Sequence, residues 1–115
     1  MTHLSVVGCG NMGGALLQGL AESGDHRLVG CDIDPDARAS VADYCEPTDD
    51  LAVAAEADYV VLAIKPDSVA DLLPALDLGG DQTLISIAAG VSTDYLADLT
   101  DADIVRLMPN LNAET

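Results

Sequence analysis

The stretch that decides the fold of this chain is Gly8-Cys9-Gly10-Asn11-Met12-Gly13. It directly follows the apolar segment 4–7 and opens a segment in which Met12, Leu16 and Leu20 recur with helical spacing. A G-x-G-x-x-G pattern between a strand and a helix permits a tight turn, lets the backbone approach a pyrophosphate, and lets the helix pack closely on the strand. The N–H groups of the first helical turn then face the phosphates. The pattern therefore predicts that residues 8–13 bind a dinucleotide.

Apolar runs alternate with segments of helical character along the whole chain. The predicted strands are residues 4–7, 28–31, 59–64, 84–88 and 104–107, with a further short one near 44–45, and the predicted helices lie near 11–23, 35–43, 50–57, 67–76 and 92–98. We expect Asp34 to cap the second helix, and Thr48 or Asp49 to cap the third. Repeated β–α units predict an α/β fold of the Rossmann type, a doubly wound parallel sheet in a single domain spanning residues 1–115.

The charge of the chain is strongly negative. Its 115 residues include 20 Asp and Glu against 4 Lys and Arg, which gives a formal net charge of −16. Such a surface makes nucleic acids and anionic membranes poor partners. So large a departure from usual composition favours adaptation to high salt over an ordinary solvated surface.

Other features of the composition narrow the class of protein. Trp and Phe are absent, so the core is expected to be aliphatic. No apolar run reaches the ~18 residues of a membrane span, and the N-terminus lacks a signal-like pattern, which predicts a cytoplasmic protein. The three cysteines, Cys9, Cys31 and Cys45, lack C-x-x-C spacing, so we expect buried thiols with no disulfide framework and no metal site.

Residues that follow the predicted strands are expected to meet at one edge of the sheet, where ligands of such folds bind. Asp32 ends the second strand nineteen residues after Gly13, the place of an acid that accepts hydrogen bonds from the adenosine ribose. Because no Lys or Arg immediately follows it, Asp32 favours NAD over NADP. Lys65, the single lysine, ends the most apolar strand. Either its charge lies near the cofactor or an anionic substrate, or its stem packs on the sheet with the amine in water.

These segments together resemble the N-terminal domain of pyrroline-5-carboxylate reductase, an enzyme of proline biosynthesis. The resemblance runs from about Leu4 to Asn110. The segments that carry it are residues 7–15, Ala63-Ile64-Lys65-Pro66, Ile85-Ser86-Ile87-Ala88-Ala89-Gly90-Val91 and Val105-Arg106-Leu107-Met108-Pro109-Asn110. The first segment is common to many nucleotide-binding domains, whereas the last two, in this order, are much more specific.

The resemblance implies an oxidoreductase that transfers hydride from NAD(P)H to the C=N carbon of a cyclic imine carboxylate. It implies that residues 8–13 hold the cofactor, that Ala63–Pro66 and Ile87–Ala89 lie near its nicotinamide half, and that Asn110 lies on the substrate side. The reaction would require mainly orientation and electrostatics from the protein, so no catalytic residue is assigned.

Three departures from the family keep alternatives open. The family usually follows Met-Pro-Asn with Thr-Pro-Ala, whereas this chain has Leu111-Asn112-Ala113. The family commonly prefers NADPH, whereas the segment 31–34 indicates NAD. It also continues into a helical domain that builds the dimer and much of the substrate site, so we expect a dimer only where that domain is present. The alternatives are a non-catalytic NAD(P)-binding module or fragment, and another dehydrogenase of this fold, such as one like prephenate dehydrogenase.

Overall fold

The structure is a computed structural model that describes residues 2–24, 26–87 and 93–106. Its strands are Thr2–Val7 (β1), His26–Cys31 (β2), Glu46–Thr48 (β3), Tyr59–Leu62 (β4), Thr83–Ser86 (β5) and Asp103–Arg106 (β6). Its α-helices are Asn11–Ser23 (α1), Pro35–Val41 (α2), Leu51–Ala54 (α3), Val69–Leu76 (α4) and Thr93–Ala97 (α5), and a single 3₁₀ turn, Pro66–Ser68, precedes α4. In the part of the chain described, no helix has the length and apolar character needed to cross a membrane.

The described strands form one parallel sheet in the order β3-β2-β1-β4-β5-β6. This confirms the predicted doubly wound α/β fold. The direction of winding reverses between β1 and β4, which pair directly although two strands separate them in sequence. The register aligns Val7 with both Cys31 and Leu62, and Leu62 with Ser86. The carboxyl ends of the four central strands are therefore level, and the loops that follow them share one crevice.

Two aliphatic clusters cover the two faces of the sheet. One includes Val6 of β1 with Leu17 of α1 and Val41 of α2, and the other includes Leu62 of β4 with Leu73 of α4. Each of these five side chains is at most 1% exposed, so each contributes about 1.5–3 kcal/mol of hydrophobic free energy. Because both faces are covered, the central strands are mainly apolar in the sequence, with the buried serines Ser5 and Ser86 as exceptions.

The short strand predicted near residues 44–45 lies instead at β3. The N–H groups of Tyr44 and Cys45 both donate to the carbonyl of Val41, so these residues continue the exit from α2. The actual strand is a polar edge strand that contains Pro47, and a proline is tolerated at an edge because its missing N–H is not needed there. Such a strand has no apolar pattern by which a sequence could reveal it.

The helix starts follow the predicted chemistry with one correction. Asp34 caps α2 by accepting the N–H of Asp36 at 2.9 Å, as expected. The prediction of Thr48 or Asp49 as the cap of α3 is wrong, because Asp50 accepts the N–H of Ala52 at 2.9 Å. Because β3 lies further along the chain than predicted, α3 also begins later, and Asp49 does not cap it.

Candidate functional site

The first glycine of the motif makes the turn out of β1. Gly8 has φ +101°, a conformation that L side chains rarely adopt. A Cβ at Gly8 would also lie only 2.5 Å from the carbonyl oxygen of Ala63, which follows β4. Glycine is therefore required here both by the backbone angle and by the close approach of the chain that leaves β4.

The other two glycines of the motif differ in their surroundings. A Cβ at Gly13 would overlap the carbonyl oxygen of Gly8, so α1 packs directly on the end of β1. A Cβ at Gly10 would meet nothing within 4 Å. Gly10 is thus not required by packing within the described residues, and the space beside its backbone is open to a ligand.

The N-terminus of α1 faces that open space. Gly10 is its N-cap residue and no side chain caps it, whereas α2 and α3 are capped by aspartates. The N–H groups of an uncapped first turn have no partner inside the helix, and the helix dipole adds a partial positive charge there. This arrangement suits an anionic group such as a pyrophosphate.

Asp32 connects this loop to the end of β2. One carboxylate oxygen, Oδ2, accepts the N–H of Cys9 at 2.8 Å, and the other, Oδ1, accepts the N–H of Asp34 at 2.9 Å. Two backbone donors therefore fix the plane of the carboxylate, and each oxygen retains a lone pair for a further donor. Such a carboxylate can accept hydrogen bonds from a diol.

A cavity of about 210 Å³ lies beside Asp32. Its walls are largely apolar and include Gly8, Ile33 and Ile64, while Asp32 and Asp49 line it with carboxylates. Ile33 is 86% exposed, although it is one of the most apolar side chains of the sequence. An apolar cavity with a few oriented polar groups is the usual form of a small-molecule site.

A single arginine approaches this cavity from α2. Arg38 Nη1 donates to the carbonyl oxygens of Asp32 and Ile33 at 2.9 and 3.1 Å. The same atom lies 3.9 Å from Oδ2 of Asp49. The guanidinium is therefore held between the end of β2 and the residue that follows β3.

The thiols of the three cysteines near the glycine motif are kept in their neutral, protonated form. Burial, and then the negative charge of Asp32, raises the pKa of the Cys9 thiol to about 12. The same two causes raise the pKa of Cys31 to about 11, and burial raises the pKa of Cys45. Thiols with such pKa values are protonated at neutral pH and are poor nucleophiles. The described residues also contain no group of three or more His, Cys, Asp or Glu side chains that could hold a metal ion.

The structure brings most of the predicted site residues to one edge of the sheet. Residues 8–13 and Asp32 are joined by the contacts above, and Ala63 and Ile64 lie against Gly8. Lys65 and Pro66 follow directly, with the Lys65 side chain exposed, and Ile87 is buried at the end of β5. Ala88, Ala89 and Asn110 lie outside the described residues. Contacts within the chain do not test cofactor binding, so the binding roles of these residues stay predictions.

Sequence reasoning missed Asp49 and Ile33 as residues of the cavity. Ile33 lies between two aspartates, and because single apolar residues are common on protein surfaces, the sequence held no signal that would single it out. Asp49 could have been found only by placing β3 correctly. It follows β3 as Asp32 follows β2.

Comparison with known proteins agrees with this geometry. Residues 3–90 match the family described as NADP oxidoreductase, coenzyme F420-dependent. The chain belongs to this family. Membership supports a nicotinamide dinucleotide, NAD or NADP, as the cofactor, with no preference between the two.

Curated relatives of this family member are named pyrroline-5-carboxylate reductase. The protein of Haemophilus influenzae is 36% identical over 119 residues, covering 96% of this chain and 44% of the relative. That of Escherichia coli K12 is 35% identical over 122 residues, covering 96% of this chain and 45% of the relative. The resemblance inferred from the sequence is thereby confirmed, and the chain spans less than half the length of these relatives.

Solved structures give the same result. The 1-pyrroline-5-carboxylate reductase of Streptococcus pyogenes superposes with a TM-score of 0.80 at 28% identity, covering 98% of this chain and 44% of that one. An imine reductase from a Pseudomonas species superposes with a TM-score of 0.75 at 19% identity, covering 91% of this chain and 40% of that one. The second likeness shows the fold alone.

Proposed function

We propose that this chain is the cofactor-binding domain of a pyrroline-5-carboxylate reductase-like oxidoreductase, which transfers hydride from NAD(P)H to the C=N carbon of a cyclic imine. The observation that carries the proposal is the joint arrangement of Gly10 and Asp32. An uncapped helix N-terminus beside open space is linked by the Cys9 N–H to a carboxylate aimed at an apolar cavity. Curated relatives over nearly the whole chain bear the reductase name.

The residues present fit a nicotinamide dinucleotide. The N–H groups at the start of α1 would hold the pyrophosphate, and Asp32 would accept the ribose hydroxyl groups. The apolar cavity that contains Ile33 and Ile64 would take the adenine ring. When bound, the reduced nicotinamide supplies the hydride. The protein's own share is to fix the dinucleotide along the strand ends, with Ala63–Pro66 and Ile87–Ala89 against the nicotinamide half.

We further propose that the chain prefers NAD to NADP. A 2′-phosphate would stand where Asp32 accepts the 2′-hydroxyl, with Asp34 and Asp49 nearby. Phosphate monoesters carry about −1.5 to −2 charges at neutral pH, so three carboxylates oppose it. Arg38, the nearest cation among the described residues, directs two of its five N–H groups to carbonyl oxygens and lies 3.9 Å from the Asp49 carboxylate, which offsets its charge.

Calorimetric titration of the chain with NADH, NADPH and ADP-ribose tests both proposals. We expect all three to bind, NADH more tightly than NADPH, and ADP-ribose nearly as tightly as NADH because the cavity and Asp32 serve the adenosine half. Binding of none of them would overturn the assigned cofactor role. Tighter binding of NADPH would overturn the preference for NAD while leaving the role intact.

A second candidate is a non-catalytic module that binds NAD(H). The contacts that carry the proposal, an uncapped helix N-terminus and a carboxylate held by two backbone N–H groups, serve cofactor binding alone. An assay of the chain with NADH and pyrroline-5-carboxylate separates the candidates. Turnover would exclude the module. Binding without turnover, by the chain alone and by any longer product of its reading frame, would exclude the reductase.

A further inference from the structure

We propose that Asp49 is a specificity-determining residue that withholds Arg38 from a 2′-phosphate. The inference deepens the proposed function and rests on the assignment of the cavity beside Asp32 to the adenosine half of the cofactor. It concerns a residue of the β3–α3 connection, which the glycine motif and the end of β2 do not include.

The first observation is the partial engagement of the Arg38 guanidinium. The group has five N–H donors, of which the two on Nη1 are directed to the carbonyl oxygens of Asp32 and Ile33. The other three make no hydrogen bond with the described residues. The side chain is 26% exposed, so part of it is open to solvent, next to Asp32, Ile33 and Asp49 of the cavity wall. Such an arginine, left to itself, would be well placed to bind a phosphate with its free edge.

The second observation is that no helix cap or hydrogen bond within the described residues accounts for the position of the Asp49 side chain. Asp50 caps α3, and the hydroxyl of Thr48 accepts the N–H of Asp50. Within the described residues, the one polar contact of the Asp49 carboxylate is the ion pair with Arg38 at 3.9 Å. Its side chain is 70% exposed, so an ion pair of this kind contributes little to folding.

The electrostatic consequence follows from these positions. Asp49 lines the cavity together with Asp32, so its charge lies on the side from which a 2′-phosphate would arrive. It would both repel the phosphate and offset the charge of Arg38, the nearest cation among the described residues. NADH lacks this phosphate, so Asp49 acts mainly on the ratio of the two affinities and less on the affinity for NADH.

The test is the ratio of the dissociation constants of NADPH and NADH for the chain and for Asp49→Asn. We expect the ratio to fall about 3- to 10-fold, the size of a unit charge acting on a phosphate through partly screened solvent. Asp43→Asn is the matched control, because it removes the same charge from an exposed turn after α2 that has no contact with Arg38. The double variant Asp49→Asn with Arg38→Gln should restore the original ratio.

Three outcomes would count against the proposal. An equal fall of the NADPH-to-NADH ratio of dissociation constants in Asp43→Asn would show that only the net charge of the chain acts. A ratio that stays low in the double variant would show that the effect of Asp49 does not depend on Arg38. Either result would overturn the inference while leaving the proposed function standing. Binding of neither cofactor by the parent chain would overturn both. The ratio change should also shrink at about 1 M salt, where the Debye length is about 3 Å, whereas a structural effect would persist.

Discussion

Replacement of Gly10 by alanine should weaken cofactor binding by about 10- to 100-fold without damaging the fold. Gly10 has φ −76° and ψ −155°, which alanine adopts, and its Cβ would meet nothing within 4 Å. Alanine lowers the entropy of the unfolded chain, which stabilises the fold by about 0.4–1 kcal/mol, but it is a poorer N-cap residue by a similar amount. The free energy of unfolding should therefore change by less than about 1 kcal/mol.

The effect on binding should be far larger. The new methyl group would occupy the space through which a pyrophosphate approaches the N-terminus of α1. Displacing the phosphate by about 1 Å stretches N–H···O bonds of about 2.9 Å beyond useful length. A hydrogen bond to a charged group contributes about 1.5–3 kcal/mol, so losing one such bond weakens NADH binding by about 10- to 100-fold.

Two further glycine variants make this experiment decisive. Gly19→Ala lies in the exposed middle of α1 with nothing within 4 Å, so it should stabilise the chain by about 0.5–1 kcal/mol and leave binding unchanged. Gly13→Ala should destabilise it by about 1–3 kcal/mol or more, because its Cβ overlaps the carbonyl oxygen of Gly8. Urea unfolding and calorimetry with NADH measure both quantities. A Gly10→Ala chain that binds NADH as tightly as the parent would refute the assignment of the phosphate to this loop.

Three other predictions concern the Asp32 carboxylate, the buried thiols and the net charge of the chain. Asp32→Asn should weaken NADH binding about 10-fold or more, because the neutral amide accepts weaker hydrogen bonds from the ribose hydroxyl groups than the carboxylate does. Calorimetry measures the affinity, and an unchanged value would show that Asp32 does not bind the ribose. Stability should fall as pH rises from about 9 to about 12, because unfolded thiols lose their protons near pH 9.0 whereas folded Cys9 and Cys31 retain theirs up to about pH 12 and 11. Each thiol contributes a slope of about 1.4 kcal/mol per pH unit, so urea unfolding of Cys31→Ala should show a shallower decline, and equal slopes would contradict the raised pKa. The thermal midpoint should rise as salt increases from about 0.1 M to about 1 M, where repulsion among the surplus carboxylates is screened; a midpoint that falls would contradict adaptation to salt.

The sequence was sufficient for the sheet and for the glycine turn between β1 and α1, and the reason is physical. Central strands buried on both faces are mainly apolar, and the glycines at 8 and 13 are fixed by packing that no other residue allows. Both constraints act on particular positions of the chain, so both are visible directly in the amino-acid sequence. The edge strand β3 has neither constraint, since Glu46 and Pro47 are exposed, and it begins just after the segment 44–45 near which it was predicted.

The site was predictable only where it depends on single strand ends. Asp32 could be placed because it follows an apolar strand at a fixed distance from the glycines. The pairing of Arg38 with Asp49 could not, because it joins a helix to the end of a strand whose position was wrongly predicted. The hydrogen bond from the Cys9 N–H to Asp32 was equally hidden, since it depends on the register of β1 and β2.

The proposed site must hold an anionic pyrophosphate on a chain whose net charge is −16. Two arginines of the described residues are engaged elsewhere: Arg27 pairs with Glu46 at 3.4 Å, and Arg38 lies against carbonyl groups and Asp49. Attraction comes instead from backbone N–H groups at the uncapped start of α1, which act over a few ångströms. Added salt screens the long-range repulsion by the distant carboxylates, while direct N–H hydrogen bonds lose little. The backbone N–H groups at the start of α1 are therefore the part of the proposed site that the net charge of the chain and the ionic strength affect least.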